Sequence, residues 1–300
     1  MNTSRRDFLK QGAALAATLS FGSSLLAKAP GTQLTGMQLY CVRDQMKADP
    51  MGTLKKLAAI GYKYVEHANY VDRKFYGWRA TEFKKVLDDL GMKMPSGHTV
   101  MGKQHWDASK KEFTDLWKYT VEDAATVGQQ FVISPWLDES LRKTKDDCLR
   151  YMEVFNKSGE LCKKSGMKFG YHNHDFEFSQ KLDGLVLYDI ILKNTDPSLV
   201  VQQLDTGNLY NGGAKAIDIM RQYPGRFVSM HVKDEILAKD GHEKYESTIL
   251  GKGIVNVKEV IDLGKKNGTL HFIIEQEAYQ GKDPVDCMKE NFAVMKSWGY

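Results

Sequence analysis

Four times along the chain a helix-like stretch stops at a glycine and a short apolar run follows. The four junctions are Ile60-Gly61-Tyr62-Lys63, Leu90-Gly91-Met92-Lys93, Val127-Gly128-Gln129-Gln130 and Ser165-Gly166-Met167-Lys168. Asn267-Gly268 repeats the pattern before the last such run. Glycine there supplies the left-handed conformation that ends a helix. β-Branched and aromatic runs at 37–42, 64–67, 93–96, 131–134, 169–173, 200–204, 227–232 and 272–275 read as strands. Helical patterns at 53–60, 81–90, 112–127, 145–165, 185–193, 214–222, 257–266 and 285–296 alternate with them. A strand–helix unit repeated in this way argues for a parallel sheet. Eight such units match a closed (β/α)₈ TIM barrel. The rival, a doubly wound open sheet, wants a glycine-rich dinucleotide turn after its first strand. Here that strand runs into Tyr40-Cys41-Val42-Arg43-Asp44, which has no glycine.

The first thirty residues read as an address. Ser4-Arg5-Arg6-Asp7-Phe8-Leu9-Lys10 precedes an apolar segment that runs from Gly12 to Leu26. Paired arginines before a modest apolar run are similar to a twin-arginine export signal, and the run is short of the roughly 20 residues that span a bilayer. Ala27-Lys28-Ala29 has a small-x-small look, although Pro30 would follow the cut; cleavage after Ala27 is the alternative. With no Cys nearby, no lipid anchor is indicated. The expectation is a signal over 1–29, passage through the twin-arginine machinery, and a single catalytic barrel over 30–300 in the periplasm or medium.

Charge supports that division. The 300 residues carry a net +4, and Arg5, Arg6, Lys10 and Lys28 against Asp7 put +3 of it in the first 29. The rest is near neutral, which excludes a dedicated nucleic-acid binder. Cys41, Cys148, Cys162 and Cys287 form no C-x-x-C pair and no disulfide framework.

In a barrel the chemistry sits at the carboxyl ends of the strands. Those ends deliver Arg43, Glu66, His98, Trp136, then His172-Asn173-His174-Asp175-Phe176-Glu177, Asp205-Thr206-Gly207-Asn208, His231-Val232-Lys233-Asp234 and Glu275-Gln276-Glu277. Carboxylates and imidazoles on four consecutive strands suit one borderline divalent ion, Mn²⁺, Co²⁺, Mg²⁺ or Zn²⁺. Plainer readings exist for each: Asp205 as a helix N-cap, His231 as a satisfied core histidine, Trp106 and Trp117 as packing. Gly251-Lys252-Gly253 either cradles an anion or only turns the chain.

These four segments, with Gln38-Leu39-Tyr40-Cys41-Val42-Arg43-Asp44, resemble the sugar phosphate isomerase/epimerase family with its xylose isomerase-like barrel. The resemblance covers residues 35–298. It implies a divalent metal held by groups from strands five to eight, commonly Glu, Asp, His and Glu. Carried over, the sixth- and seventh-strand ligands are Asp205 and His231. On the eighth strand Glu277-Ala278-Tyr279 fits the pattern better than Glu275. On the fifth, His172 stands where a Glu is usual, and the ligand is His172 or Glu177. Glu177 is preferred because it keeps the usual ligand charge, leaving His172 and His174 for substrate.

The expected ligands are therefore Glu177, Asp205, His231 and Glu277. The expected catalytic groups are His172, His174, Glu275 and Lys233. Arg43, Glu66, His98, Trp136 and Asn208 are expected to touch a small carbohydrate, with Trp136 as a stacking wall. The leading expectation is isomerisation or epimerisation of a non-phosphorylated keto sugar through an enediolate. A lyase expelling the aglycone of a keto-glycoside is the alternative, and an exported sugar-binding protein whose catalysis has lapsed is a third.

Overall fold

Eight of the apolar runs become strands: β1 (Leu34–Gln38), β2 (Tyr64–His67), β3 (Lys93–His98), β4 (Phe131–Ser134), β5 (Lys168–His172), β6 (Val200–Asp205), β7 (Phe227–Val232) and β8 (His271–Ile274). Each pairs in parallel with the next, and β8 pairs with β1 from Leu34↔His271 to Met37↔Ile274, so the sheet closes into the expected barrel. In this computed structural model the described residues are 33–239 and 244–300. The export-signal reading lies outside them. Among the described residues no helix is long and apolar enough to cross a membrane.

The connecting helices are α1 (Pro50–Ile60), α2 (Ala80–Asp89), α3 (Asp115–Val127), α4 (Lys145–Lys164), α5 (Leu187–Asn194), α6 (Ala216–Gln222), α7 (Val257–Lys266) and α8 (Pro284–Ser297). Their boundaries carry local chemistry. Thr144 and Asp147 cap α4 reciprocally, and Asp283 accepts from Val285 N at 2.8 Å at the start of α8. Gly61 and Gly128 end α1 and α3 with φ of 118° and 91°.

Strand alternation sorts side chains to two sides of the barrel wall. Outward residues such as Met37, Val65, Phe169, Leu204, Met230 and Phe272 join the large apolar cluster shared with the helices. A separate small cluster, Phe131, Ile133 and Val201, lies inside. Two residues further along the same strand faces the interior turns polar, with Gln38, Glu66, Ser96, Gln203 and Ser229 all buried. At the carboxyl ends come His98, His172, Asp205, His231 and Glu275. The site thus stands on a polar layer, which stands on an apolar plug.

Several boundaries differ from expectation by a few residues, and two of the differences have a clear local cause. Residues 39–42 leave β1 and form a 3₁₀ turn, because Gln38 caps it by accepting from Tyr40 N and because Leu39, Cys41 and Val42 are buried without alternation. The helix expected from residue 112 begins at Asp115, since Glu112–Phe113 pairs with Trp106–Asp107. That hairpin, those at 70–79 and 181–186, and the pairing of Asp234–Leu237 with Tyr245–Thr248 all lie between a strand and its helix. They therefore build up the rim at the carboxyl ends of the strands.

Gly61 and Gly128 separate conformational from steric cost. A Cβ on Gly61 would sit 2.9 Å from Phe292 Cε1, whereas one on Gly128 would meet nothing within 4 Å. Gly128→Ala is expected to lose about 1 kcal/mol by urea unfolding and Gly61→Ala roughly 1 kcal/mol more. Equal losses would show that Phe292 yields freely.

Candidate metal centre and active-site cleft

The centre is built from the polar layer upward. Glu66 is fully buried, and an ionised carboxylate there must be paired. Its Oε1 accepts from Gln38 Nε2 at 2.9 Å and from His231 Nε2 at 2.6 Å, with His98 Nε2 3.1 Å away. Its Oε2 accepts from Gln203 Nε2 at 2.9 Å and from the Ser96 hydroxyl. Burial alone would raise this carboxyl, but His98 and His231 reverse that and hold it at about 2.

Gln203 passes this order upward. Its amide nitrogen donates to Glu66 and to Ser229 Oγ at 3.0 Å, which fixes its oxygen as the acceptor facing two imidazoles. That oxygen takes His98 Nε2 at 2.7 Å and His172 Nδ1 at 3.0 Å. His172 therefore carries its proton on Nδ1 and turns a bare Nε2 toward Asp205 Oδ2, 4.0 Å away. Burial, with His231 and His98 nearby, keeps His172 well below the usual imidazole range.

His231 is oriented by the same carboxylate. With Nε2 on Glu66, its Nδ1 lies 3.0 Å from Glu275 Oε2 and 3.7 Å from Asp205 Oδ2. Burial lowers the imidazole, but Glu275 and Glu66 outweigh it and push it up to about 10. A histidine held by a carboxylate on one nitrogen, with the other turned toward further carboxylates, is an arrangement metal ligands adopt once the proton on that second nitrogen is lost.

Asp205 meets both readings made of it. Oδ1 accepts from Asn208 N at 2.6 Å and caps the short helix Thr206–Asn211. Oδ2 is buried with no hydrogen-bond partner. Burial raises this carboxyl, with Lys233 opposing and Glu275 reinforcing. One donor atom each from His172, Asp205, His231 and Glu275 lie within 4.8 Å of one another. Tetrahedral ligands at about 2.0–2.2 Å from an ion stand about 3.4 Å apart, so small rotamer shifts would close this set.

The other expected residues fall in distinct places. Glu177 is fully buried outside this group, accepting from His174 N at 2.8 Å and from the Tyr171 hydroxyl. Burial raises it to about 8. Glu277 pairs with Lys233 Nζ, which also reaches Asn208 Oδ1 at 3.0 Å and Glu275 Oε2 at 3.5 Å. His174 and Trp136 line the cleft edge to face, with ring centroids 4.9 Å apart. Arg43 lies outside the cleft, bound to the Tyr279 hydroxyl at 3.0 Å and stacked on Tyr40. The sequence reading missed Gln203, although it precedes Asp205 by two on one strand and so shares its face.

Gly251-Lys252-Gly253 does not present its amides to a ligand. Asp234 Oδ2 accepts from Gly251 N at 2.9 Å and from Gly253 N at 3.0 Å, and Oδ1 accepts from Val255 N at 3.1 Å. The loop's anion is the protein's own carboxylate. All four cysteines are buried and free.

This barrel with its four-strand polar rim belongs to the xylose isomerase-like TIM barrel family, whose family model matches residues 54–298. An inosose dehydratase from Clostridium beijerinckii is 31 % identical over 237 residues, 71 % of this chain and 77 % of that protein. The matches to the first two curated relatives, both inosose dehydratases, span 56 % and 64 % of their length. A crystal structure of a sugar phosphate isomerase/epimerase from Parabacteroides distasonis is 25 % identical with a TM-score of 0.76, covering 92 % of this chain and 97 % of that one. The IOLI protein, crystallised with a zinc atom, shares the fold at 12 % identity and a TM-score of 0.68, over 88 % of this chain and 97 % of that one. By these names, its relatives are sugar-modifying enzymes.

The Glu177 carboxyl gives a signed pH prediction. With its folded value at about 8, the native state keeps a proton that the unfolded chain gives up above the ordinary Glu range. Its contribution to stability is full below that range and disappears as pH rises through about 8. Glu177→Gln removes the dependence, so the variant should gain on wild type by a few kcal/mol between pH 5 and pH 9 in urea unfolding. Parallel pH curves would show that Glu177 is ionised in the native state.

Proposed function

We propose that this chain is a divalent-metal-dependent lyase acting on a non-phosphorylated keto sugar or keto cyclitol. It would remove the proton beside the carbonyl and expel the group on the next carbon. The observation that carries this reading is the convergence of His172, Asp205, His231 and Glu275 around a carboxylate oxygen, Asp205 Oδ2, that is buried without a hydrogen-bond partner. In this proposal these four residues, rather than the set with Glu177 and Glu277, are the ligands. A bound ion would polarise the substrate carbonyl and stabilise the oxyanion that forms.

The chain's own residues do the rest. Glu275 is 6 % exposed and lines the cleft; burial would raise it, but His231 and Lys233 keep it ionised, so that with one oxygen given to the ion the other could accept the proton. Lys233 stays charged between Glu277, Asp205 and Glu275 and offsets negative charge at the substrate oxygen. The electron pair of the broken C–H bond forms the new double bond as the leaving group departs. The removed proton ends on the departing oxygen.

Elimination is placed ahead of epimerisation on the supply of carboxylate bases next to the proposed ion. Inverting a carbon calls for a proton acceptor on one face and a donor on the other. Besides Glu275, the carboxylates lining the cleft are Glu277, tied to Lys233, and Asp72, out in the turn of the 70–79 hairpin; the imidazole of His174 also lines it, packed edge to face on Trp136. Glu177 faces Tyr171, and His172 has its Nδ1 committed to Gln203. The name of the C. beijerinckii relative, a dehydratase, leans the same way. Epimerisation or isomerisation is the second reading, favoured by the name of the P. distasonis structure. The use of the Gly251 and Gly253 amides by Asp234 supports a substrate without phosphate.

Incubation with keto sugars and keto-glycosides in deuterated water tests the reaction. The expected outcome is an unsaturated ketone with release of the leaving group. Deuterium appearing in an epimer without elimination would favour the second reading, and no exchange at all would favour a lapsed binding protein. Asp205→Ala and His231→Ala should reduce metal content from one ion per chain to near none and activity by about a thousandfold or more. Because His231 holds a proton up to about pH 10, uptake of the ion should release protons and tighten as pH rises.

A further inference from the structure

The catalytic cleft is larger than the chemistry proposed for it requires. Its volume is about 640 Å³. Cavities of roughly 300–1,000 Å³ hold ligands of drug size, and a single sugar ring fills only part of that range. The excess lies on one side. His98, His172, His174, Asn208, Glu275 and Glu277 make a polar floor, and the remaining lining comes mainly from the rim segments after β2 and β3 and from α3.

That arm and the two segments flanking it gather most of the exposed large apolar side chains among the described residues. Nine large hydrophobic side chains are exposed among the described residues, and six of them line this one cleft: Tyr40, Val71, Val100, Leu116, Tyr119 and Trp136. Water contact for so many apolar groups in one concave place is unfavourable, and such a concentration marks a binding surface. Because the arm and the floor share one cavity, the occupant of the arm is continuous with the reacting group.

The wall of the arm is held in advance. The hairpin 70–79 turns at Asp72 and Arg73, both with positive φ, 49° and 61°. A two-residue turn with two positive φ values ordinarily uses Asn or Gly, and Arg there costs about 1 kcal/mol. Arg73 offsets this with Nε 3.0 Å from Asp123 Oδ2, one terminal nitrogen 2.8 Å from Asp123 Oδ1, and its guanidinium 4.1 Å above the Tyr119 ring. The Tyr70 hydroxyl donates to the same Asp123 at 2.6 Å. A strained turn locked in this way holds Tyr70, Val71 and Tyr119 in place as one wall of the cleft.

We propose that this arm is an aglycone subsite, and that the substrate is a keto-glycoside whose leaving group is flat and apolar, such as an aryl alcohol. The proposal rests on the lyase reading, since the arm would then seat the group that elimination expels. The reaction balances without a further reagent: the C–H bond beside the ketone and the C–O bond to the aglycone break, a carbon–carbon double bond forms, and the aglycone leaves as its alcohol carrying the proton.

The test is calorimetric binding to the purified protein of matched phenyl and methyl glycosides of glucose, galactose and xylose, run beside turnover of their keto forms. In at least one pair the phenyl compound should bind about tenfold or more tightly. The double variant Val71→Ser/Leu116→Ser should cut that ratio to within about threefold. Both positions are more than half exposed, so folding is not at stake. Leu185→Ser, exposed but outside the cleft, should leave the ratio alone. No phenyl preference in any pair, or a preference that survives the double variant, overturns the subsite. Phenyl preference without elimination from any keto form keeps the subsite and removes the lyase reading. Elimination from a simple keto sugar without phenyl preference does the reverse.

Discussion

The buried carboxylate of Glu66 is the contact on which the upper half of this barrel depends. Left unpaired in the interior it would cost many kcal/mol, so the fold must deliver donors to it. They come from β1 through Gln38, from β3 through Ser96, from β6 through Gln203 and from β7 through His231. One anion thus sets the register of side chains from four other strands. The same contacts decide which nitrogen of His231 faces Glu275 and Asp205 and, through Gln203, which nitrogen of His172 is free. The electrostatics of the candidate site are therefore fixed one layer beneath it.

The polar layer also explains how the charged rim survives burial. Asp205, Glu275 and Glu66 are all withdrawn from water. Among the protein's own groups, the proton on His231 and the Lys233 ammonium balance them. A divalent ion would take over part of that balancing, which couples metal uptake to proton release. Around this centre the cleft divides labour. The floor, at the strand ends, offers fixed charges of defined protonation. The arm, made of a hairpin and α3, offers apolar surface that is rigid because Arg73 and Asp123 lock it.

Much of the architecture was legible in the sequence because it rests on local signals. The glycine stops, the turn chemistry and the eight apolar runs are all short-range, and five of the eight strands begin at the residue expected. Asp205 and His231 stood out because each ends a strand in a motif. The placements that sequence alone does not show depend on contacts between strands. Glu66 reads as a substrate contact until Gln203, Ser96 and His231 are seen to surround it. Motif alone favoured Glu277 over Glu275; in the structure Glu275 stands with His172, Asp205 and His231, while Glu277, where the chain has left β8, reaches Lys233. Glu177 kept the expected charge in the sequence, but the helix Phe176–Ser179 turns it toward Tyr171. The end of β1 was misread because buried Leu39, Cys41 and Val42 look like a strand without alternating like one.

The central claim is that His172, Asp205, His231 and Glu275 hold one divalent ion. A crystal structure of the protein grown with Mn²⁺ and recorded at the manganese absorption edge tests it most directly. The account predicts one anomalous peak within about 2.0–2.4 Å of Asp205 Oδ2, His172 Nε2, His231 Nδ1 and a Glu275 oxygen. A peak bound by Glu177 or Glu277 in place of His172 or Glu275, or no peak at these strand ends, would contradict it.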